Sequence, residues 1–351
     1  MSQSLSGRAI YSILIAIILF LSTQYIVVYR DLTALDDRQI EMQDMLLERD
    51  REIADLKMQV LGKDRDIYRL GIRMKDLERR SKPKSPEIQN QPKTTVYLIT
   101  PTYARPTQRA ELTRMSHTLM LVTSVRLFWI IVQDSSERSS VIDAVLQRTN
   151  LSYVQLYAPT PAEYKLNASD PSWLWPKGVN QRNAALSWIR SHAPPPSNHS
   201  LLYFADDDNT YDLRLFDQFR SIDKVGVWPV GLAGGLVVER PVVDLQTHEV
   251  TSWMTGWKPE RPFPIDMAGF AINVQLLVNN PNAEFSYQVP RGYQESHLLQ
   301  QLGIKLSDLE PLADLCRVVY VWHTRTERAK LKSETVLQAN GVRSYDGMIE
   351  F

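Results

Sequence analysis

Cysteine is almost missing from this sequence: Cys316 is the single one in 351 residues. No disulfide can close within the chain, so in a luminal or secreted setting the fold would have to be held by its core. An excess of charge of either sign is missing too, since 40 Lys and Arg stand against 40 Asp and Glu. Without a basic field to hold a phosphate backbone, a general nucleic-acid binder is disfavoured. There is no internal repeat, and with 44% hydrophobic residues the chain is too apolar to be disordered throughout. Length alone allows roughly two domains of about 150 residues.

Neutrality is an average over unlike segments. Residues 9–29 carry no formal charge over 21 positions, which as a helix would span about 30 Å, the thickness of a bilayer's hydrocarbon core. A cleaved signal peptide is the competing reading, because Ser22 and Thr23 are small enough to flank a cleavage site. The apolar run resumes at Tyr25-Ile26-Val27-Val28-Tyr29, longer than the usual apolar core of a signal, and this favours an uncleaved anchor. A short tail (1–8) before the span and a long chain after it favour an N-inside, C-outside topology.

Residues 30–93 hold 15 Lys or Arg and 14 Asp or Glu. That density fits a solvated single helix or spacer, but the apolar residues have a period. With Leu32 at heptad position a, the a positions are Leu32, Gln39, Leu46, Ile53, Val60, Ile67 and Met74, and the d positions are Leu35, Met42, Arg49, Leu56, Lys63, Leu70 and Leu77. Eleven of these 14 are apolar over seven heptads, the pattern of a self-associating coiled coil over 30–80. Pro83, Pro86 and Pro92 then mark a linker at 81–93.

The remaining residues, 94–351, carry 24 positive and 26 negative side chains. Strands are predicted at 95–100, 126–132, 153–157 and 200–204, and helices at 107–122, 139–148 and 178–191. This alternation implies βαβ units and a mostly parallel α/β sheet, whose ligands lie beyond the C-terminal strand ends. The most distinctive strand end is Asp206-Asp207-Asp208-Asn209. Three adjacent carboxylates either coordinate a hard divalent cation such as Mg²⁺ or Mn²⁺, or form a solvated acidic turn that caps the next helix. Tyr103 could stack on a base, Arg105 could approach phosphates and Asp134 could bond a base edge. Taken singly, each reads as part of a capped turn. Together with the triplet they mark one edge of one sheet.

Five blocks then carry a resemblance: T-P-T-Y-A-R-P at 100–106, P-K-G-V-N-Q-R-N at 176–183, D-D-D-N at 206–209, W-K-P-E-R-P-F-P-I-D-M-A-G-F at 257–270 and V-W-H-T-R-T-E at 321–327. In this order they resemble the animal β-1,3-glucuronyltransferases of glycosyltransferase family 43. The resemblance implies a GT-A fold with a UDP-sugar-binding subdomain (94–210) and an acceptor-binding subdomain with C-terminal tail (211–351). It implies an inverting transfer of glucuronate from UDP-glucuronate, with Mn²⁺, to the 3-hydroxyl of a terminal galactose. The acceptor would be the Gal-Gal-Xyl linker of proteoglycans or terminal N-acetyllactosamine; Trp257 and the Phe263-Pro264 pair lean toward the linker.

By resemblance, Pro101, Tyr103 and Asp134 form the uridine pocket. Lys177 stands where the family commonly has Arg, which keeps the charge and loses the bidentate fork. Arg182, Arg291 and His323 face the glucuronate carboxylate, Arg325 the diphosphate, Asp206 and Asp207 the sugar and ribose, and Asp208 is the direct metal ligand. Glu295 is the general base. Asn209, Glu239, Trp257, Arg261 and Asp266 contact the acceptor. The anchor and stem look like those of Golgi type II glycosyltransferases, implying a homodimer with a luminal catalytic domain and sequons at Asn150, Asn167 and Asn198.

Overall fold

The computed structural model describes residues 7–81, 94–166, 170–171, 174–192, 199–327, 329–342 and 344. Residues 1–6 of the expected tail, the linker from 82 to 93, Asn167 and Asn198 lie outside the described residues. The chain divides into two compact units, Met1–Asn90 and Gln91–Phe351.

Among its described residues the first unit is one helix, α1 (Gly7–Ser81), of 75 residues. At 1.5 Å per residue it is about 110 Å long. No proline occurs before Pro83, so nothing in the covalent chain interrupts the hydrogen-bond ladder. Leu14–Leu32 is long and apolar enough to cross a membrane. From its last residue onward the seam residues Leu32, Leu35, Met42, Leu46, Ile53, Leu56 and Val60 all stand exposed.

The second unit is a mixed α/β fold. Strands β1 (Thr95–Thr102), β2 (Arg126–Gln133), β3 (Ser152–Tyr157) and β4 (Ser200–Phe204) alternate with helices α2 (Gln108–Met120), α3 (Ser140–Leu146) and α4 (Val179–His192). Later in the chain come β5 (Thr210–Tyr211), α5 (Leu213–Gln218), β6 (Val225–Val227), β7 (Val230–Gly231), β8 (Val238–Val243), β9 (Val250–Met254), β10 (Phe270–Asn273), α6 (Val274–Asn279), α7 (Gln294–Gln301), β11 (Leu309–Pro311) and β12 (Val321–Trp322).

The larger sheet has the order β11-β6-β10-β4-β1-β2-β3. Its β4-β1-β2-β3 half is parallel, while β10 runs antiparallel to both β4 and β6. Strands drawn from beyond residue 211 therefore complete the sheet begun by the first half. The smaller sheet, β5-β12-β7-β8-β9, is mostly antiparallel.

Alternation along β1 divides the core into two layers. Val96 and Leu98 pack with Leu112, Met115 and Leu119 of α2, while Tyr97 and Ile99 pack with Val179, Ala185, Leu186 and Ile189 of α4. Because both faces are covered, β1, β2 and β4 read as nearly continuous apolar runs. A fully buried Leu98 or Ile99 is worth roughly 1.5–3 kcal/mol of transfer free energy, so this burial anchors the strand ends that carry the polar groups. Cys316 is buried and unpaired, its thiol pushed up to about 12 by burial.

Candidate active site

α2 follows β1 on one face of the sheet and α4 precedes β4 on the other, so the adjacent ends of β1 and β4 open onto a topological switch point. Ala205 still pairs through its N–H with the Ile99 carbonyl at 2.8 Å, and the acidic triplet begins one residue later. Asp207 turns inward. Its Oδ1 accepts from Arg105 Nη2 at 2.6 Å and its Oδ2 from Thr102 Oγ1 at 2.7 Å. Arg105 also pairs with Glu111 of α2, and Gln108 Nε2 donates to Thr102 Oγ1 at 3.0 Å. Burial pushes the Asp207 carboxyl up to about 6 against the opposing pull of Arg105 and Thr102.

Asp206 and Asp208 have different surroundings. Asp206 Oδ1 accepts from Arg182 Nη2 at 2.8 Å, and its carbonyl accepts from Tyr211 Oη at 2.8 Å. The Asp208 carboxyl is raised above the usual carboxylate range by burial and by the negative charges of Asp206 and Glu111. That excess of negative charge suits a bound cation. Among the described residues no group of three or more His, Cys, Asp or Glu forms a closed metal cage. A site with one direct carboxylate fits Mg²⁺ or Mn²⁺, which take their remaining ligands from water and substrate phosphates.

On the β2 side, Asp134 receives two bonds from Thr160, from its N–H and its Oγ1, each at 2.7 Å. Pro101 is half-buried at the end of β1, and Tyr103 is 52% exposed, leaving a free aromatic face. Arg182 Nη1 donates to the Lys177 carbonyl at 2.9 Å. Gly178 makes that contact possible: its φ is +76°, and a Cβ there would lie 2.4 Å from Arg182 Nη1. The Lys177 side chain is exposed.

The smaller sheet supplies the opposite side. His323 Nδ1 donates to Asp266 Oδ2 at 2.7 Å, and Arg325 Nη2 is 3.5 Å from His323 Nε2. The hydrogen bond to Asp266 raises the pKa of His323, against its partial burial. Thr324 Oγ1 donates to the Asp208 carbonyl at 2.6 Å, tying the segment after β12 that carries His323 to the acidic triplet. Asn209 is buried beside them.

Glu295 lies in the first turn of α7, half-buried. Desolvation pushes its carboxyl up to about 7; Asp266 adds to the rise, while its own backbone N–H, Arg261 and Arg182 oppose it. Next to this helix Trp257 is 38% exposed with the Arg291 guanidinium 4.9 Å from its ring. Arg261 is closed off: it donates to the carbonyls of Trp257, Lys258 and Gly292 at 3.0, 3.2 and 2.9 Å, and it lies 3.9 Å from the buried Glu239 carboxylate. Glu239 also accepts from Thr255. The residues expected at the donor and acceptor thus converge, but Asp134 and Asp207 each have both carboxylate oxygens bonded within the protein, and Arg261 spends all its nitrogens there.

Sequence reading passed over Thr102, Gln108, Glu111, Thr160, Thr324 and Gln181, whose Nε2 donates to the Ala158 carbonyl behind Thr160. A signal existed for three of them: Gln108 and Glu111 interrupt the buried stripe of α2, and Gln181 that of α4. Polar residues in an apolar stripe must find buried partners. Nothing local distinguishes Thr102, Thr160 or Thr324.

The sequence profile of glycosyltransferase family 43 matches residues 115–327. The chain belongs to glycosyltransferase family 43. It is 40% identical over 324 residues to the Caenorhabditis elegans galactosylgalactosylxylosylprotein 3-beta-glucuronosyltransferase sqv-8, covering 92% of this chain and 90% of the relative. It is 48% identical over 265 residues to the Drosophila melanogaster enzyme I of that name, covering 74% and 85%, and 44% identical over 297 residues to the human enzyme 3, covering 80% and 87%. Among solved structures, Staphylococcus aureus TarS 1-349 overlaps at a TM-score of 0.40 and 15% identity, covering 66% of this chain and 60% of TarS.

Proposed function

We propose that this family 43 member transfers glucuronate from UDP-glucuronate to the 3-hydroxyl of the terminal galactose of the Gal-Gal-Xyl linker, with inversion at the anomeric carbon, and that its Gln91–Phe351 unit is a GT-A fold. The observation that carries the reading is Glu295: a single half-buried carboxyl raised to about 7, within the electrostatic reach of Arg182 on the donor side and Asp266 on the acceptor side. A general base works best with a pKa near the working pH. The relatives' names support the choice of donor and acceptor.

Glu295 takes the proton of the acceptor hydroxyl as that oxygen attacks the anomeric carbon. Attack on the face opposite UDP turns an α-linked donor into a β-linked product in one step, with no covalent intermediate. Arg182, Arg291 and His323 meet the donor carboxylate with charge-assisted hydrogen bonds, which favours glucuronate over neutral glucose. Tyr103 offers a stacking face to the base, Asp134 faces its edge, and Lys177 and Arg325 add charge along the nucleotide. Mn²⁺ held by Asp208 would neutralise charge on the departing diphosphate. Trp257 presents an aromatic face to galactose, with Asn209, Glu239, Arg261 and Asp266 around it.

We further assign the chain to the Golgi membrane as a single-pass type II protein whose stems pair as a homodimer. The apolar segment Leu14–Leu32 and the unbroken helix after it support this. In a parallel two-stranded register Glu52 at position g meets the partner's Lys57 at position e, an attractive pair. Asn150 is exposed and would carry a glycan on the luminal side.

The test uses the full-length chain in detergent with UDP-glucuronate and two acceptors, Gal-Gal-Xyl and N-acetyllactosamine. Transfer to the linker acceptor at the higher kcat/KM supports the reading. Preference for N-acetyllactosamine replaces the acceptor, and UDP release that does not depend on acceptor overturns the transfer reaction.

A further inference from the structure

Arg105 sits in the loop after β1, yet its side chain is only 12% exposed. One guanidinium reaches four groups. Nη2 donates to Asp207 Oδ1 at 2.6 Å and meets Glu111 of α2, Nη1 donates to the Tyr103 carbonyl at 3.1 Å, and the guanidinium carbon lies 4.5 Å from the centre of the Tyr103 ring. Thr102 Oγ1 takes the other oxygen of Asp207 and is itself held by Gln108. Both carboxylate oxygens of the central aspartate are therefore occupied from the β1 side of the switch point. Its neighbours in sequence face other partners: Asp206 meets Arg182 and Asp208 lies among negative charges.

We propose that Arg105 is a positioning residue that locks the aromatic base platform Tyr103 and the acidic triplet into one rigid frame, with Asp207 as the strut that joins them. The inference rests on the donor-binding reading above and adds a residue to which that reading assigned no role. The geometry favours it over direct contact with phosphate, because the guanidinium points into the protein and two carboxylates already face it. Fixing Asp207 fixes the backbone on both sides of it, and so the directions in which Asp206 and Asp208 leave the strand. The Arg105 guanidinium covers one face of the Tyr103 ring and leaves the other for a base, so the cation that holds the triplet also sets the tilt of the platform. A nucleoside diphosphate then meets both ends of its site already in place, which lowers the ordering cost of binding. Lysine can substitute only in part, since a single ammonium keeps the charge but lacks the planar fork that spans two carboxylates and stacks on a ring.

The experiment measures UDP binding with Mn²⁺ by calorimetry on the full-length chain in detergent, together with donor KM, acceptor KM and thermal midpoint. The proteins are the unmodified chain, Arg105→Lys, Arg105→Gln, Asp207→Asn and the double variant Arg105→Gln/Asp207→Asn. Absence of UDP binding by the unmodified chain defeats the donor-site reading itself and leaves no site for Arg105 to organise. With binding present, Arg105→Gln is expected to weaken UDP affinity by about tenfold or more, the size of one lost charge-assisted hydrogen bond. Donor KM should rise in parallel and acceptor KM should stay within about twofold. Arg105→Lys should fall between Arg105→Gln and the unmodified chain. The double variant should bind no worse than the weaker single one, because both changes break the same strut. Additive losses in the double variant would mean that Arg105 contacts the nucleotide directly. A lowered thermal midpoint with unchanged UDP affinity would mean that it only stabilises the fold. Either result overturns the inference, and Arg105→Lys keeps the test open if Arg105→Gln does not fold.

Discussion

His323 Nδ1 and Asp266 Oδ2 are 2.7 Å apart, joining the residue after β12 to the one that caps the turn before β10. Asp206 and Arg325 also bear on His323, the first favouring its cation and the second opposing it. The balance raises the pKa of the imidazole, so it stays charged to a higher pH than a free histidine, whose pKa is about 6.5. The stabilisation that this pair gives the fold is complete below the unfolded value and is lost as the pH rises through the raised folded value.

Asp266→Asn keeps the shape of that contact and removes the charge. The ratio of dissociation constants for UDP-glucose and UDP-glucuronate should then fall toward one at a lower pH than in the unmodified chain, whose imidazole keeps its charge to a higher pH than a free histidine. Calorimetry at several pH values checks this, and a ratio that does not depend on Asp266 or on pH removes His323 from donor selection.

Glu295 predicts a pH profile of its own. With its carboxyl at about 7, log kcat should rise with a slope near one below that pH and level off above it, because the base must be ionised to accept a proton. Glu295→Gln should lower turnover by at least about 100-fold while leaving UDP affinity nearly unchanged. Loss of UDP binding in that variant would assign Glu295 to the donor site instead.

Chelation separates the acidic triplet from the rest of the site. EDTA should abolish transfer and added Mn²⁺ should restore it, and Asp208→Asn should raise the Mn²⁺ concentration needed for half-maximal UDP binding by about tenfold or more. Full activity in EDTA would leave Asp208 as an ordinary turn residue.

Arg261 and Glu239 are each about 5% exposed, a buried pair whose partners are main-chain carbonyls and Thr255. Arg261→Met removes the cation and leaves the carboxylate alone, at a cost of about 3 kcal/mol by chemical denaturation. It also frees the Trp257 loop from Gly292, so acceptor KM should rise more than donor KM. Equal changes in the two would show that the clamp does not serve the acceptor.

Much of the frame could be read in advance because its causes are local. The runs at β1, β2 and β4 are apolar enough to be buried on both faces, and α2 and α4 carry their apolar residues at helical spacing. The predicted strand at 200–204 coincides with β4, and β1 runs two residues past the predicted 95–100. Less was legible beyond residue 211, where β6, β10 and β11 are short strands that join the larger sheet across long sequence separations. Their pairing is decided by contacts that leave no periodic trace.

Sequence by itself determined the segregation of the chain: the uncharged span, the heptad seam, the alternating βαβ half and a single cysteine with no partner in the chain. Each follows from composition and period, since burial, membrane thickness and helix geometry act on residues close together in the chain. Only the tertiary structure decided which polar residues face a ligand and which are consumed inside. Asp206, Asp207 and Asp208 are equivalent as a string. Yet Arg182 holds the first, Arg105 and Thr102 close around the second, and the carboxyl of the third is raised by burial and by the charges of Asp206 and Glu111, only partly offset by Arg105. The difference arises because α2, α4 and β1 bring distant cations to one strand end, and a carboxylate's role is set by the charge and solvent around it.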